Sequence, residues 1–151
     1  MNDNKIKSIN GVMGKDTLLG VLQKLQKDGI IAFASQDFRV GHSNCSEKQF
    51  YAPFYIEFNN GEGWLIFTTN SIRNDRMCIQ QWNAEHIKAI TSHVKRAYVV
   101  VPNGIKENPR EAKEVERYNE KIVTKRIQSY IDRVLLVDEF VEQVIDYASH
   151  Y

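Results

Sequence analysis

The sequence predicts a mixed α/β fold in which one sheet is covered by helices on both sides. Three observations carry that expectation. FYAPFYIEF (50–58) and WLIFTTNS (64–71) are rich in aromatic and β-branched residues and flank NNGEG, the composition of a β-hairpin. AYVVVP (97–102) is a β-branched run closed by proline, as a buried central strand would be. Amphipathic helical stripes fall before, between and after these runs, an alternation that layered α/β domains use.

Each element follows from its residues. In KDTLLGVLQKLQKD (15–28), Leu18, Leu19, Val21, Leu22 and Leu25 share one helical stripe with lysines opposite; Asp16 or Thr17 can cap the start, and Gly29 ends it. IIAFA (30–34) reads as a strand entering the core, and the polar stretch 35–49, with Gly41, as a loop carrying functional groups or flexibility. A hairpin turn centred on Gly61 would set Phe58 opposite Trp64 and Phe54 opposite Thr68. Phe54, Ile56 and Trp64 then occupy one face and Tyr55, Leu65 and Phe67 the other, so both faces need cover. Trp82, Ile87 and Ile90 recur at helical spacing, which predicts a helix over 83–94 with Asn83 as a possible cap. Pro109 opens a long helix running to 133, with Val115, Tyr118, Ile122, Ile127 and Ile131 as its stripe. VLLV (134–137) reads as a short strand, and DEFVEQVIDYA (138–148) as a closing helix capped by Asp138.

Length and charge set the outer limits. A chain of 151 residues is expected to form a single domain, 1–151. Twenty Lys and Arg against nineteen Asp and Glu give a net charge of +1, which excludes a globally basic coat and an acidic tail but leaves room for a local basic face. Two cysteines, Cys45 and Cys78, make neither a disulfide scaffold nor a Cys-rich zinc site, and a reducing cytoplasm is the simplest home. The opening MNDNKIKSING has no apolar core of signal-peptide length, and no run of apolar residues is long enough for a membrane span.

No phosphate-binding glycine loop, HExxH, CxxC pair or GxSxG elbow is present. The four histidines are not spaced as a metal set; His86 and His93 read as a solvated helix surface, and the cysteines as small fillers. What stands out is the charge at the open mouth of the hairpin. Extending the strand pairing brings Tyr51 across from Ser71, Gln49 near Arg73 and Glu47 near Asp75. Two acids beside Lys48, Arg73 and Arg76 could hold a divalent cation through oxygen ligands while the cations steady phosphate charge. The plain alternative is a ring of surface ion pairs. Glu57 near Asn59, with Asp37 upstream, is a second choice that lies at the turn end instead. In the long helix, Lys121, Lys125, Arg126 and Arg133 alternate with glutamates; its more positive second half could touch a phosphate backbone.

GWLIFTTNSIRNDRMCIQQWNAEHIKAI (63–90) and RAYVVVPNG (96–104), with the upstream segment 39–58, resemble a segment of type II restriction endonucleases of the PD-(D/E)XK nuclease superfamily. The matching pieces are SIRNDR (71–76), QQWN (80–83) and VPNG (101–104). The resemblance implies a restriction-endonuclease-like core of helix, three strands, helix and strand, here followed by further C-terminal helices. It implies a magnesium-dependent enzyme cutting double-stranded DNA, commonly as a homodimer on a palindrome. Under that reading Glu47 and Asp75 would hold Mg²⁺, and Lys48, Arg73 and Arg76 would steady the phosphate. Arg39, His42, Gln80 and Gln81 would reach base edges. The sequence departs from the superfamily at its third strand, WLIFTTNS, which has neither the acid nor the lysine expected there. A catalytically inactive DNA-binding or dimerisation module on the same fold is therefore the alternative. A third reading is a protein-interaction domain presenting Tyr51, Tyr55 and Phe67 on the hairpin surface.

Overall fold

The computed structural model describes residues 17–43 and 47–151. Asp16 and Cys45 lie outside the described residues. Helix α1 occupies 17–27 and is followed by strands β1 (Phe33–Val40), β2 (Phe50–Glu57) and β3 (Gly63–Thr68). Helix α2 (Asn74–Ile90), strand β4 (Val94–Val101) and a 3-10 turn (Asn103–Glu107) come next. Helix α3 (Pro109–Val123), strand β5 (Arg133–Leu136) and helix α4 (Val137–Ala148) complete the order. The element order is the one read from the sequence, and the five strands form one mixed sheet in the order β1-β2-β3-β4-β5. β1, β2 and β3 are antiparallel neighbours, whereas β3, β4 and β5 run parallel, joined by crossovers that contain α2 and α3.

Both faces of the sheet are dry. On one, Phe54, Ile56, Trp64, Ile66 and Val100 pack under Leu18, Leu22 and Leu25 of α1 and Phe140 and Val144 of α4. On the other, Tyr55, Leu65, Phe67, Val99 and Val101 pack under Met77, Ala84 and Ile87 of α2, with Val115 and Tyr118 of α3 against the same cluster. The expected division of hairpin residues between two faces therefore holds. Tyr55 and Phe67 are 4% and 2% exposed, and Tyr51 is half-buried, so the hairpin presents no aromatic docking surface and the protein-interaction reading loses its motive.

Four features differ from expectation, each for a physical reason. The hairpin loop is closed by Phe58 N–H to the Glu62 carbonyl (2.9 Å) with Gly61 at φ +90°, which pairs Phe54 with Ile66 and Ile56 with Trp64. The register is shifted by two residues from that expected, and an even shift keeps every side chain on its face. β1 covers 33–40 where a loop from 35 was expected; as the edge strand it has a solvated side and shows no apolar alternation. Within it Asp37 takes φ +54° opposite Pro53, and the inward-facing alternation inverts there in both strands: Phe38, Phe50 and Ala52 join the Tyr55 face, Ala34 and Phe54 the other. α2 starts nine residues before the expected 83, at Asn74, because its first turns are held by polar contacts that leave no apolar stripe. α3 ends at Val123 rather than 133; Lys125 at φ +57° breaks it, and the chain turns back so that Asp132 N–H reaches the Ala97 carbonyl at 2.7 Å. Among the described residues no helix is long and apolar enough to cross a membrane.

Candidate functional site

The topology gathers one end of every strand along a single edge. Val40 pairs with Phe50, so the end of β1 meets the start of β2; antiparallel β3 and parallel β4 and β5 finish at that same edge with Thr68, Val101 and Leu136. The carboxyl ends of parallel strands are where open α/β sheets bind ligands. Of the residues singled out from sequence, Arg39, His42, Glu47, Lys48, Arg73, Asp75 and Arg76 all fall along or just beyond this edge, and all are exposed. Glu57 and its neighbour Asn59 lie at the opposite, turn end, where the Glu57 carboxylate accepts from the Tyr55 hydroxyl at 3.2 Å.

The mouth of the hairpin is not the continued ladder expected from the pairing. The β2–β3 ladder stops at Phe54–Ile66, and β3 leaves it through a tight turn in which Thr69 Oγ1 donates to the Ser71 carbonyl (2.7 Å) and accepts from its N–H (3.3 Å). Ile72 then packs into the core and α2 begins. The Tyr51 N–H, expected to face Ser71, is taken by Asn83 Oδ1 at 2.9 Å, while Asn83 Nδ2 donates to the Ile79 carbonyl at 3.0 Å. Asn83 is thus no helix cap but a buried tether from the middle of α2 to the start of β2. Its signal in the sequence was missed because a lone Asn beside an apolar stripe reads as a cap.

Around this edge the charges pair locally. Asp75, in the first turn of α2 where a carboxylate complements the helix dipole, accepts from Arg73 Nη2 at 3.1 Å. Both side chains are about 60% exposed, so this is a solvated ion pair of small energy. Arg76 has no carboxylate partner among the described residues. On β1, the Arg39 guanidinium lies 4.7 Å from the centre of the Tyr51 ring, and the Tyr51 hydroxyl donates to Asp37 at 2.8 Å. Burial, and then the Asp37 carboxylate, hold the Tyr51 hydroxyl above its usual pKa, so it stays a neutral donor. No group of three or more His, Cys, Asp or Glu side chains suited to a metal ion occurs among the described residues.

The two glutamines of QQWN face inward. Gln81 Nε2 donates to the Tyr118 hydroxyl (2.9 Å) and Ser129 Oγ (2.7 Å), and its Oε1 accepts the Tyr130 N–H (2.6 Å), so its amide is fully engaged joining α2 to α3 and the following loop. Gln80 Nε2 donates to the Thr68 carbonyl at the end of β3 (3.3 Å), and its Oε1 is buried without a hydrogen-bond partner among the described residues. Such an atom costs about 1–3 kcal/mol if nothing donates to it. Trp82 tilts against Phe50 (4.8 Å between ring centres), and His86 stacks on the same ring at 4.6 Å, so His86 is part of the packing and not a solvated surface. Cys78 is exposed.

No family model matches the chain, and no solved structure matches it significantly. A curated protein does: the chain is 33% identical over 150 residues to the type II restriction enzyme BsuFI of Bacillus subtilis. That alignment takes in 97% of this chain and 37% of the relative, so the chain spans little more than a third of the relative's length.

Proposed function

We propose that the chain is the DNA-engaging part of a restriction-type endonuclease, gripping duplex DNA along the edge where β1, β3, β4 and β5 end. The observation that carries this reading is the third strand. Where the resemblance to PD-(D/E)XK nucleases puts an acid and a lysine, Trp64, Leu65, Ile66 and Phe67 are all at most 2% exposed and fill both cores. A strand so committed to packing has no room for a hydrolytic pair, whereas the exposed Arg39, Arg73 and Arg76 of the same edge suit phosphates and base edges. The similarity to a type II restriction enzyme supports the DNA target. A homodimer on a palindromic site in the cytoplasm is the arrangement this reading favours.

The second reading is a magnesium-dependent, sequence-specific endonuclease, favoured by the placement of Glu47 and Asp75 along one edge. Carboxylate oxygens are the ligands Mg²⁺ prefers. The donor set nonetheless fits poorly, because the described residues supply no cluster of three acidic or imidazole groups and Asp75 Oδ2 already pairs with Arg73. No hydrolytic step is therefore assigned to these side chains.

The deciding experiment combines binding and cutting. Fluorescence anisotropy with a duplex library, across a salt series, should show binding that weakens steeply as salt rises. Plasmid incubated with Mg²⁺ should remain uncut. Cutting by the wild-type chain that disappears in Glu47→Ala and Asp75→Asn, with binding retained, would replace the first reading with the second.

A further inference from the structure

We propose that the groove between α2 and the segment after α3 is a pocket for a single nucleobase swung out of the DNA stack. The inference rests on the DNA-binding reading and assigns it a subsite. The groove has a volume of about 370 Å³, the small end of the range for ligand pockets of about 300–1,000 Å³. It starts at Asn74, inside SIRNDR, and so opens beside the candidate edge. Trp82, Tyr118 and Tyr130 line it, with Met77 and Ile127 as further apolar surface.

Two of the aromatic rings are braced by neighbours: Trp82 by Phe50 and His86, and Tyr118 through its hydroxyl, which accepts from Gln81; the Tyr130 hydroxyl accepts from Gln128 at 3.2 Å. Rigid aromatic surfaces of this kind suit a planar π-system. Glu85 and Gln128 add acceptors at the rim, which suit the exocyclic amino groups of bases. Charge completes the match. Lys121 lines the groove and Arg126 directly precedes lining residue Ile127; together with Lys125 they have no carboxylate partner among the described residues and are exposed. A base in the groove would bring its own phosphate to that cationic rim. A purely apolar ligand would leave those charges unused.

Cys78 also lines the groove and reports on its occupancy. Its alkylation rate is followed by peptide mass spectrometry, which separates it from Cys45. The probes are matched duplexes, the same duplexes with one mismatched base, and the four deoxynucleoside monophosphates. The expected result is that mismatched duplexes bind about tenfold tighter than matched ones, because an unpaired base leaves the stack more readily, and that they protect Cys78 from alkylation. Cys78→Trp, which fills the groove, should abolish the mismatch preference while keeping its circular dichroism and its affinity for matched duplex; Cys78→Ser should keep the preference. DNA binding with Cys78 alkylated at an unchanged rate, or a mismatch preference that survives Cys78→Trp, overturns the pocket and leaves the DNA-binding reading intact. If no duplex binds, that reading fails by itself. Protection of Cys78 by a monophosphate would then still uphold the pocket, and no protection would end it.

Discussion

Asn83→Ala is the sharpest probe of how the candidate edge is assembled. Asn83 is 9% exposed, and its two hydrogen bonds run to different elements: Oδ1 to the Tyr51 N–H at 2.9 Å, and Nδ2 to the Ile79 carbonyl at 3.0 Å. Ile79 lies one turn back in the same helix, so that bond is local. The Tyr51 bond is the one that crosses to the sheet, where the β2–β3 ladder has already ended. Truncation leaves the Tyr51 N–H without its acceptor, which costs about 1–3 kcal/mol, and the lost side-chain contacts push toward the upper half of that range. At roughly 2–4 °C per kcal/mol for a chain of this size, the melting temperature should fall by about 4–12 °C. Urea unfolding followed by far-UV circular dichroism measures the loss, and hydrogen exchange locates it. The Tyr51 amide should exchange faster in the variant, while amides of β4 change only as far as global stability does. Because α2 carries Arg76 and Arg73 directly precedes it, DNA binding should weaken as well. A stability loss below about 0.5 kcal/mol, the spread of ordinary surface substitutions, with unchanged Tyr51 exchange, would refute the claim that this tether holds α2 to β2.

Other perturbations test separate parts of the structure. Arg76→Ala removes an exposed cation that has no carboxylate partner among the described residues; anisotropy titrations should show weaker DNA binding and a salt slope reduced by about one, whereas an unchanged slope would place Arg76 outside the interface. The Tyr55 hydroxyl is held well above its ordinary value of 10.0 by burial and then by the Glu57 carboxylate. A raised folded-state pKa gives stability that is complete below pH 10 and is lost as pH climbs above it, so alkaline urea titrations should show a decline that Tyr55→Phe lessens. Asn108 caps α3 by accepting the Arg110 and Glu111 N–H groups at 3.1 and 3.4 Å; Asn108→Ala should cost about 1 kcal/mol in urea unfolding, and Asn108→Ser should recover most of it.

The sequence alone determined the order of the elements and the sidedness of the hairpin. Both are local properties: β-branched and aromatic runs disfavour other backbones, and alternation at period two sorts Ile56 and Trp64 from Tyr55 and Leu65 in any register that differs by an even number of residues. A hairpin register wrong by two residues therefore still put Phe54, Ile56 and Trp64 on one face and Tyr55, Leu65 and Phe67 on the other, whereas the inversion that carries Phe50 and Ala52 to the Tyr55 face was not legible. The tertiary structure decided what local patterns cannot encode. The first turns of α2 carry no apolar stripe, because Gln80, Gln81 and Asn83 bind partners 12 to 49 residues away in the chain. The stretch of β1 from Ser35 to Val40 reads as a loop because an edge strand satisfies one side with water, and only its pairing with β2 extends the strand that far. The charged residues of the candidate edge were legible one by one, yet the ladder that would have joined Glu47 to Asp75 ends early, where the turn at Thr69 and the Asn83 tether redirect the chain. The groove needed Tyr118 and Tyr130 brought to Trp82, three rings far apart in sequence that become neighbours once α3 ends at Val123 and the chain doubles back. Residue type and spacing fix a backbone's local preference, whereas a site made of distant side chains exists only after those preferences have been packed together.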